Sequence, residues 1–294
     1  MTIREILDYG RKLLSQAQIE YPGLEAEILL SGILNKDRVY FYTHHQELLD
    51  AISEEHYRQA IKRRSQLEPV AYILGKKEFM GLDFLVNRQV LIPRPDTEPM
   101  VEYLIEYLQA NFPDGAKILD LCTGSGAIGI SIKHFYQKGQ VALSDLSEAA
   151  LTVARENANR LVNGDLSLYQ GDLLAALPQG ETFTVIVSNP PYIRQSEMKQ
   201  LAPDIIAYEP HLALDGGESG LDFYRRIIRE APLFLKKNGL LALEVGDEQA
   251  DAVAALLDRQ GYHEIKKIMD LGGHVRCLTG KFTKTKPMDN NKLG

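Results

Sequence analysis

The chain has 294 residues, 45% hydrophobic and 25% charged, with a formal net charge of −7. That length admits two domains, and the acidic balance argues against broad adhesion to nucleic acid, which relies on Lys and Arg neutralising phosphates. No apolar run approaches the ~20 residues needed to span a bilayer. The two cysteines, Cys122 and Cys277, lie far apart, which fits a reducing compartment and offers no metal framework.

The amphipathic start MTIREILDYGRKLL lacks the continuous apolar core of a secretory signal, so a cytoplasmic protein without membrane attachment is expected. Residues 1–70 read as a small helical bundle. Ile3, Ile6, Leu7, Leu13, Leu14 and Ala17 keep a helical stripe that Thr2 can cap. Pro22-Gly23 breaks the chain before a second helix over LEAEILLSGIL, which stops near Asn35. Ser53, followed by Glu54 and Glu55, reads as the start of a further helix that ends before Pro69.

Between residues 71 and 96 the pattern changes to a linker. AYILG and EFMGLDFLV predict a hairpin or two short strands. LIPRPDTEP then places Pro93, Pro95 and Pro99 within a rigid segment, and Thr97 is a candidate cap for the helix PMVEYLIEYLQA. Over residues 97–283 strands and helices alternate. KILDLC, QVALSD, LSLYQGD, TFTVIVS, GLLALEV, YHEIKKIM and HVRCLTGKF read as strands, the last two as an antiparallel edge. The expected fold class is α/β, a mostly parallel seven-stranded Rossmann-like sheet covered on both faces. Residues 284–294 read as a disordered polar tail.

ILDLCTGSGAIGI runs from a strand through a Gly turn into a helix. Gly124 and Gly126 let the backbone approach a ligand closely, and the helix start supplies free N–H groups. The spacing matches neither a dinucleotide fingerprint nor a phosphate loop. Asp120 precedes the turn, Asp145 ends the second strand and Asp172 the third. Asp145 suits ribose hydroxyls and Asp172 an adenine amino group. Three acids in this register suit a cofactor with positive charge and no phosphate, and S-adenosylmethionine fits better than NAD.

After the fourth strand comes SNPPYI, in which tandem prolines cannot continue a sheet. Together DLCTGSG, the strand end SD and the NPPY run Asn189-Pro190-Pro191-Tyr192 resemble class I S-adenosylmethionine-dependent methyltransferases acting on a conjugated nitrogen. Two longer stretches, EPVAYILGKKEFMGLDFLVNRQVLIPRPDTE and EPHLALDGGESGLDFYRRI, are similar to the peptide chain release factor glutamine methyltransferases. The resemblance spans nearly the whole chain. It implies transfer of a methyl group to the amide nitrogen of the glutamine in the GGQ motif of release factors, with residues 1–70 holding the protein substrate.

The resemblance also implies a cofactor set of Asp120, Cys122, Thr123, Gly124, Ser125, Gly126, Asp145, Leu146, Asp172, Leu173 and Asn189, and a substrate set of Asn189, Pro190, Pro191 and Tyr192. Arg94 and Glu98 are given supporting roles near the cofactor pocket. Cys122 stands where the family usually has Gly, Leu173 where an aromatic is common, and Gly273-His274-Val275-Arg276 departs from the family's acid or amide before Arg.

The chemistry asks for such a turn. An amide nitrogen is a poor nucleophile, so its two N–H groups must be held by acceptors, here the Asn189 Oδ1 and the Pro190 carbonyl. Tyr192 would lie against the planar amide. No metal is expected, nor stable nucleic-acid binding, and the chain is expected to act as a monomer. Two other readings stay open: an N6-adenine methyltransferase on DNA or RNA, and a non-catalytic scaffold of the same fold.

Overall fold

Thr2 is extended, its hydroxyl accepts from the Glu5 N–H, and the Glu5 carboxylate accepts from the Thr2 N–H. This capping box starts α1 (Ile3–Gln16) in a computed structural model that describes residues 1–270 and 272–283. The tail expected over 284–294 lies outside the described residues. After α1 come α2 (Pro22–Leu34), α3 (Arg38–Thr43), α4 (Ala51–Ser65) and α5 (Val70–Leu74). A hairpin of β1 (Lys76–Phe79) and β2 (Leu82–Leu85) follows, then α6 (Glu98–Asn111), β3 (Lys117–Leu121), α7 (Ala127–Phe135), β4 (Gln140–Asp145) and α8 (Glu148–Val162). The remainder is β5 (Ser167–Gln170), β6 (Phe183–Ser188), α9 (Pro203–Tyr208), α10 (Asp222–Glu230), β7 (Leu235–Glu244), α11 (Ala250–Arg259), β8 (Tyr262–Met269) and β9 (Val275–Phe282).

The chain divides into two compact units. The first comprises Met1–Lys76, Val86–Arg88 and Leu201–Glu209. Its core is made by Ile6, Leu14, Leu29, Leu30, Tyr57 and Ile61, all fully buried. The two later segments are tied in by charge and stacking. Arg63 and Arg88 both bond the buried Glu68 carboxylate, Arg88 lies over the Tyr208 ring, and the Tyr208 hydroxyl donates to the Gln66 carbonyl at 2.7 Å.

Three local expectations change here. Pro22 is the first residue of α2, where its missing N–H costs nothing, rather than a break ahead of it. Asp50, not Ser53, caps α4 by accepting from the Ile52 and Ser53 N–H groups. Val70–Leu74 is a helix, not a strand, ended by Gly75 at φ 71°, so the hairpin begins only at Lys76. The stretch expected as one linker, residues 71–96, is shared between the units.

The second unit holds the hairpin from Lys77 to Leu85, Gln89–Gln200, and Pro210 onward. Its seven-stranded sheet has the order β5-β4-β3-β6-β7-β9-β8, with β9 antiparallel to both neighbours and the other pairs parallel. The central strands read as continuous apolar runs because both faces are covered. Ile118, Leu143, Val185 and Val187 face one core with α6, α7 and α8. Leu119, Leu121, Ile186 and Leu241 face the other with α10 and α11.

The strand order reverses at β3, with β4 and β5 added on one side and β6 on the other, so the crevice beyond the carboxyl ends of β3 and β6 is the place where such sheets bind ligands. Register aligns the exits. Leu121 pairs with Ser144 on one side and Ser188 on the other, and Ser188 pairs with Leu243. The turns starting at Cys122 and Asn189, together with Asp145 and Glu244, therefore leave the sheet at one level.

Candidate active site

The turn after β3 is held from beneath by Asp120, which has no exposed surface. Its Oδ2 accepts from the Thr123 hydroxyl at 2.6 Å and the Gly129 N–H at 2.9 Å, and its Oδ1 has no hydrogen-bond partner among the described residues. Burial drives its carboxyl up to about 7, against the two bonds that favour the charged form. Gly124 at φ 56° has open space where a Cβ would stand, while Gly126 at φ 83° would put a Cβ 2.5 Å from Ile130 Cδ1. Cys122 takes φ 61° despite its side chain, and burial pushes its thiol up to about 12, which keeps it protonated.

Asp145 holds the turn from the side. Its Oδ2 accepts from the Gly124 N–H and its Oδ1 from the Ser147 N–H, both at 2.9 Å. Each oxygen keeps a lone pair for a ligand. Burial raises its carboxyl above the ordinary carboxylate range.

A cavity of about 360 Å³ lies over these groups, within the roughly 300–1,000 Å³ typical of ligand sites. Of the expected cofactor residues, Cys122, Thr123, Gly124 and Ser125 line it from the turn, Asp145, Leu146, Asp172 and Leu173 from the strand ends, and Asn189 from the Pro-Pro turn. Pro191 and Arg94 also line it. Asp120, Gly126, Pro190, Tyr192 and Glu98 are not on its wall. Glu98 is engaged elsewhere, its Oε1 accepting the Met80 N–H at 2.9 Å, and Asp172 pairs with Arg226 at 2.7 Å. No group of three or more His, Cys, Asp or Glu able to hold a metal occurs among the described residues.

Asn189 and the prolines follow β6, whose six residues are all buried. The Ser188 hydroxyl donates to the Leu121 carbonyl at 2.7 Å and locks the start of the turn to β3. Tyr192 turns its ring toward Gly246, where an added Cβ would stand 2.9 Å from Tyr192 Cδ2.

Sequence reasoning missed Glu244. It ends β7 buried and accepts from the Thr97 hydroxyl at 2.6 Å. Burial raises its carboxyl to about 7, while Thr97, Arg276 and Asn189 favour the charged form. Thr97 was expected to cap α6, but its hydroxyl is spent on this carboxylate and makes no cap bond. The signal was present: an acid ending an apolar strand, the same logic that singled out Asp145.

The sheet order, the Gly turn and the acid-edged cavity are those of a class I methyltransferase. The model described as PrmC N-terminal domain matches residues 5–75, and that described as Methyltransferase small domain matches residues 98–221. A release factor glutamine methyltransferase of Clostridium acetobutylicum is 41% identical over 280 residues, 95% of this chain and 98% of its own. That of Geobacter sulfurreducens is 39% identical over 280 residues, 95% and 96% of the two chains. A solved methyltransferase from Pyrococcus furiosus shares the fold, with a TM-score of 0.52 over 77% of this chain and 98% of its own, at 22% identity. The chain belongs to the release factor glutamine methyltransferase family.

Proposed function

We propose that this chain methylates the side-chain amide nitrogen of the glutamine in the GGQ motif of peptide chain release factors, with S-adenosylmethionine as methyl donor. The observation that carries the reading is the shared wall: Asn189 and Pro191 of the Pro-Pro turn border the same cavity as Gly124 and Asp145. When bound, the cofactor supplies an electrophilic methyl on a sulfonium. The residues fit it. Asp145 keeps a spare lone pair on each oxygen, as two ribose hydroxyls require. Gly124 leaves the cavity clear where a side chain would project. Leu173 and Leu146 give the adenine plane aliphatic rather than aromatic walls.

Asn189 Oδ1 and the Pro190 carbonyl accept the two N–H groups of the substrate amide and turn its nitrogen toward the methyl. Holding both bonds favours the positive charge that grows on nitrogen during transfer. Asn189 favours the charged form of Glu244, and a carboxylate that takes its amide group leaves Oδ1 directed at the substrate. Arg94 on the cavity wall is given an orienting role; Glu98 secures the hairpin main chain instead. The helical first unit takes the release factor, and exposed Tyr21, Leu24, Val39, Tyr42 and Ile52 supply apolar surface for a protein partner. Its place of action is the cytoplasm, where translation terminates.

The test is transfer of labelled methyl to purified release factor and to duplex DNA in parallel, with peptide mapping of the product. One methyl on the GGQ glutamine is expected. Label in DNA alone would overturn the assignment in favour of adenine methylation.

A further inference from the structure

Tandem prolines stiffen the turn but leave it hard to anchor. Pro190 and Pro191 have no N–H, so the main chain of the two prolines can be fastened only through its flanks and its carbonyls. The upstream flank is fixed in the sheet and by the Ser188 hydroxyl. At the downstream end the Ile193 main chain bonds Leu214 and Gly216, and the Tyr192 carbonyl meets the side chain of Gln249, which precedes α11 and is buried.

Gln249 has both its amide donors and its oxygen engaged. Its Nε2 donates to the Tyr192 carbonyl at 2.9 Å and to the Gly220 carbonyl at 3.3 Å. Its Oε1 accepts from the Gly246 N–H at 3.1 Å, and the Tyr224 hydroxyl lies 3.4 Å away with its hydrogen given to the Glu244 carbonyl at 2.9 Å. Carbonyls only accept and the Gly246 N–H only donates, so the amide has a single orientation. Glycines clear the space around this contact. A Cβ on Gly220 would stand 2.5 Å from the Tyr192 carbonyl oxygen and 2.7 Å from Gln249 Nε2, and one on Gly216 would stand 2.6 Å from Tyr192 Cα. Side chains at those positions are therefore absent, and the main chain of Gly216 and Gly220 packs directly against Tyr192 beside the Gln249 bond.

We propose that Gln249 is a positioning residue for methyl transfer: its amide pins the Tyr192 carbonyl and so fixes the distance between the Asn189–Pro190 acceptors and the cofactor cavity. The inference rests on the reading of those acceptors as the amide-binding pair. Gln249 is not on the cavity wall, so its loss should appear in turnover and leave cofactor affinity intact. A displacement near 1 Å in an orienting group costs about 10²-fold in rate.

The experiment compares Gln249→Met, Gln249→Glu and Asn189→Ala in the full chain, with purified release factor as substrate. For each, kcat, the cofactor dissociation constant and the thermal midpoint are measured, and kcat is followed from pH 5.5 to 8.5. Gln249→Met should lower kcat roughly 10–100-fold with cofactor affinity within about threefold. Gln249→Glu should be at least as impaired at pH 8, because an ionised carboxylate faces two carbonyls. It should recover as pH falls, when the neutral acid regains a donor for Tyr192; a purely structural role would not produce that profile. Wild-type kcat in Gln249→Met, or losses in both variants that track cofactor affinity, would overturn the proposal. If the Met variant does not fold, the profile of the Glu variant decides: recovery at low pH supports the proposal and a profile parallel to wild type overturns it. Asn189→Ala separates the layers. If it is inactive while the Gln249 variants turn over normally, only the present inference fails; if it is active, the underlying reading of the site fails too.

Discussion

The turns after β3 and β6 leave adjacent strands at one level, yet their backbones are built from opposite chemistry. Cys122, Gly124 and Gly126 all take positive φ, and two carboxylates hold that turn by accepting its N–H and hydroxyl groups. The other turn has two fixed φ angles, and the bonds that hold it come from neighbours. One presents open space at Gly124, suited to close approach of a ligand. The other has had two main-chain donors deleted, so its polar edge is made of acceptors. An amide NH₂ offers two donors and no useful acceptor on nitrogen, and an edge without competing N–H groups suits it. Prolines thus contribute by what they lack as well as by their stiffness.

The comparison breaks if the two turns cannot be damaged separately. The largest effect is expected for Asn189→Ala, a fall in kcat of roughly 10²–10³-fold, the size seen when one oriented transition-state group is removed. Calorimetry should find its cofactor affinity near that of wild type. Asp145→Ala should do the reverse, weakening cofactor binding roughly 10–100-fold, about 1.4–2.8 kcal/mol, with kcat near normal once cofactor saturates. Equal damage to both parameters in both variants would mean that the turns act as one device. Gly126→Ala sharpens the same point, since its φ of 83° and the Ile130 methyl 2.5 Å from the new Cβ tax the fold itself. A loss of about 1–3 kcal/mol is expected, read as a drop in thermal midpoint while saturated kcat persists.

How much of this was legible follows from which signals are local. Strands of the central sheet announce themselves because both faces are buried, and Asp120, Asp145 and Asn189 stand at their ends in the sequence itself. Helix α5 was misread because Ala71-Tyr72-Ile73-Leu74 is too short for periodicity to arbitrate; Pro69 and Gly75 decided it instead. Glu244 ended an apolar strand and could have been found as Asp145 was, but Gln249 was passed over for a different reason. Its meaning depends on Tyr192, 57 positions away, and on sheet register that no single segment encodes. Tyr192 shows the same limit: its ring was assigned to the substrate from sequence, whereas its packing against Gly246 required coordinates. The recruitment of residues 201–209 into the first unit depends likewise on distant partners, Arg88 over Tyr208 and the Gln66 carbonyl.

The smallest effect concerns pH and again divides the site. Asp120 under the Gly turn and Glu244 beside the Pro-Pro turn both have folded values near 7, against ordinary values of 3.8 and 4.5. Between about pH 4 and 7 the unfolded chain has released these protons while the fold retains them, so the fold binds more protons and stability must fall as pH rises. Above 7 both states are charged and the penalty levels off. The paired acids Glu68 and Asp270, whose carboxyls lie below their ordinary range, act in the opposite sense and only at more acid pH. Asp145, also raised by burial, acts in the same sense as the pair, so thermal melts between pH 5.5 and 8 read the buried acids together and a variant must divide them. Wild type should lose several degrees over that interval, at about 2–4 °C per kcal/mol for a domain of this size. Asp120→Asn keeps an acceptor for Thr123 and Gly129 and has no proton to lose, so its melting point should fall less. Identical slopes would mean that Asp120 is already ionised in the fold, and the Gly turn would then carry a full negative charge beneath it at every working pH.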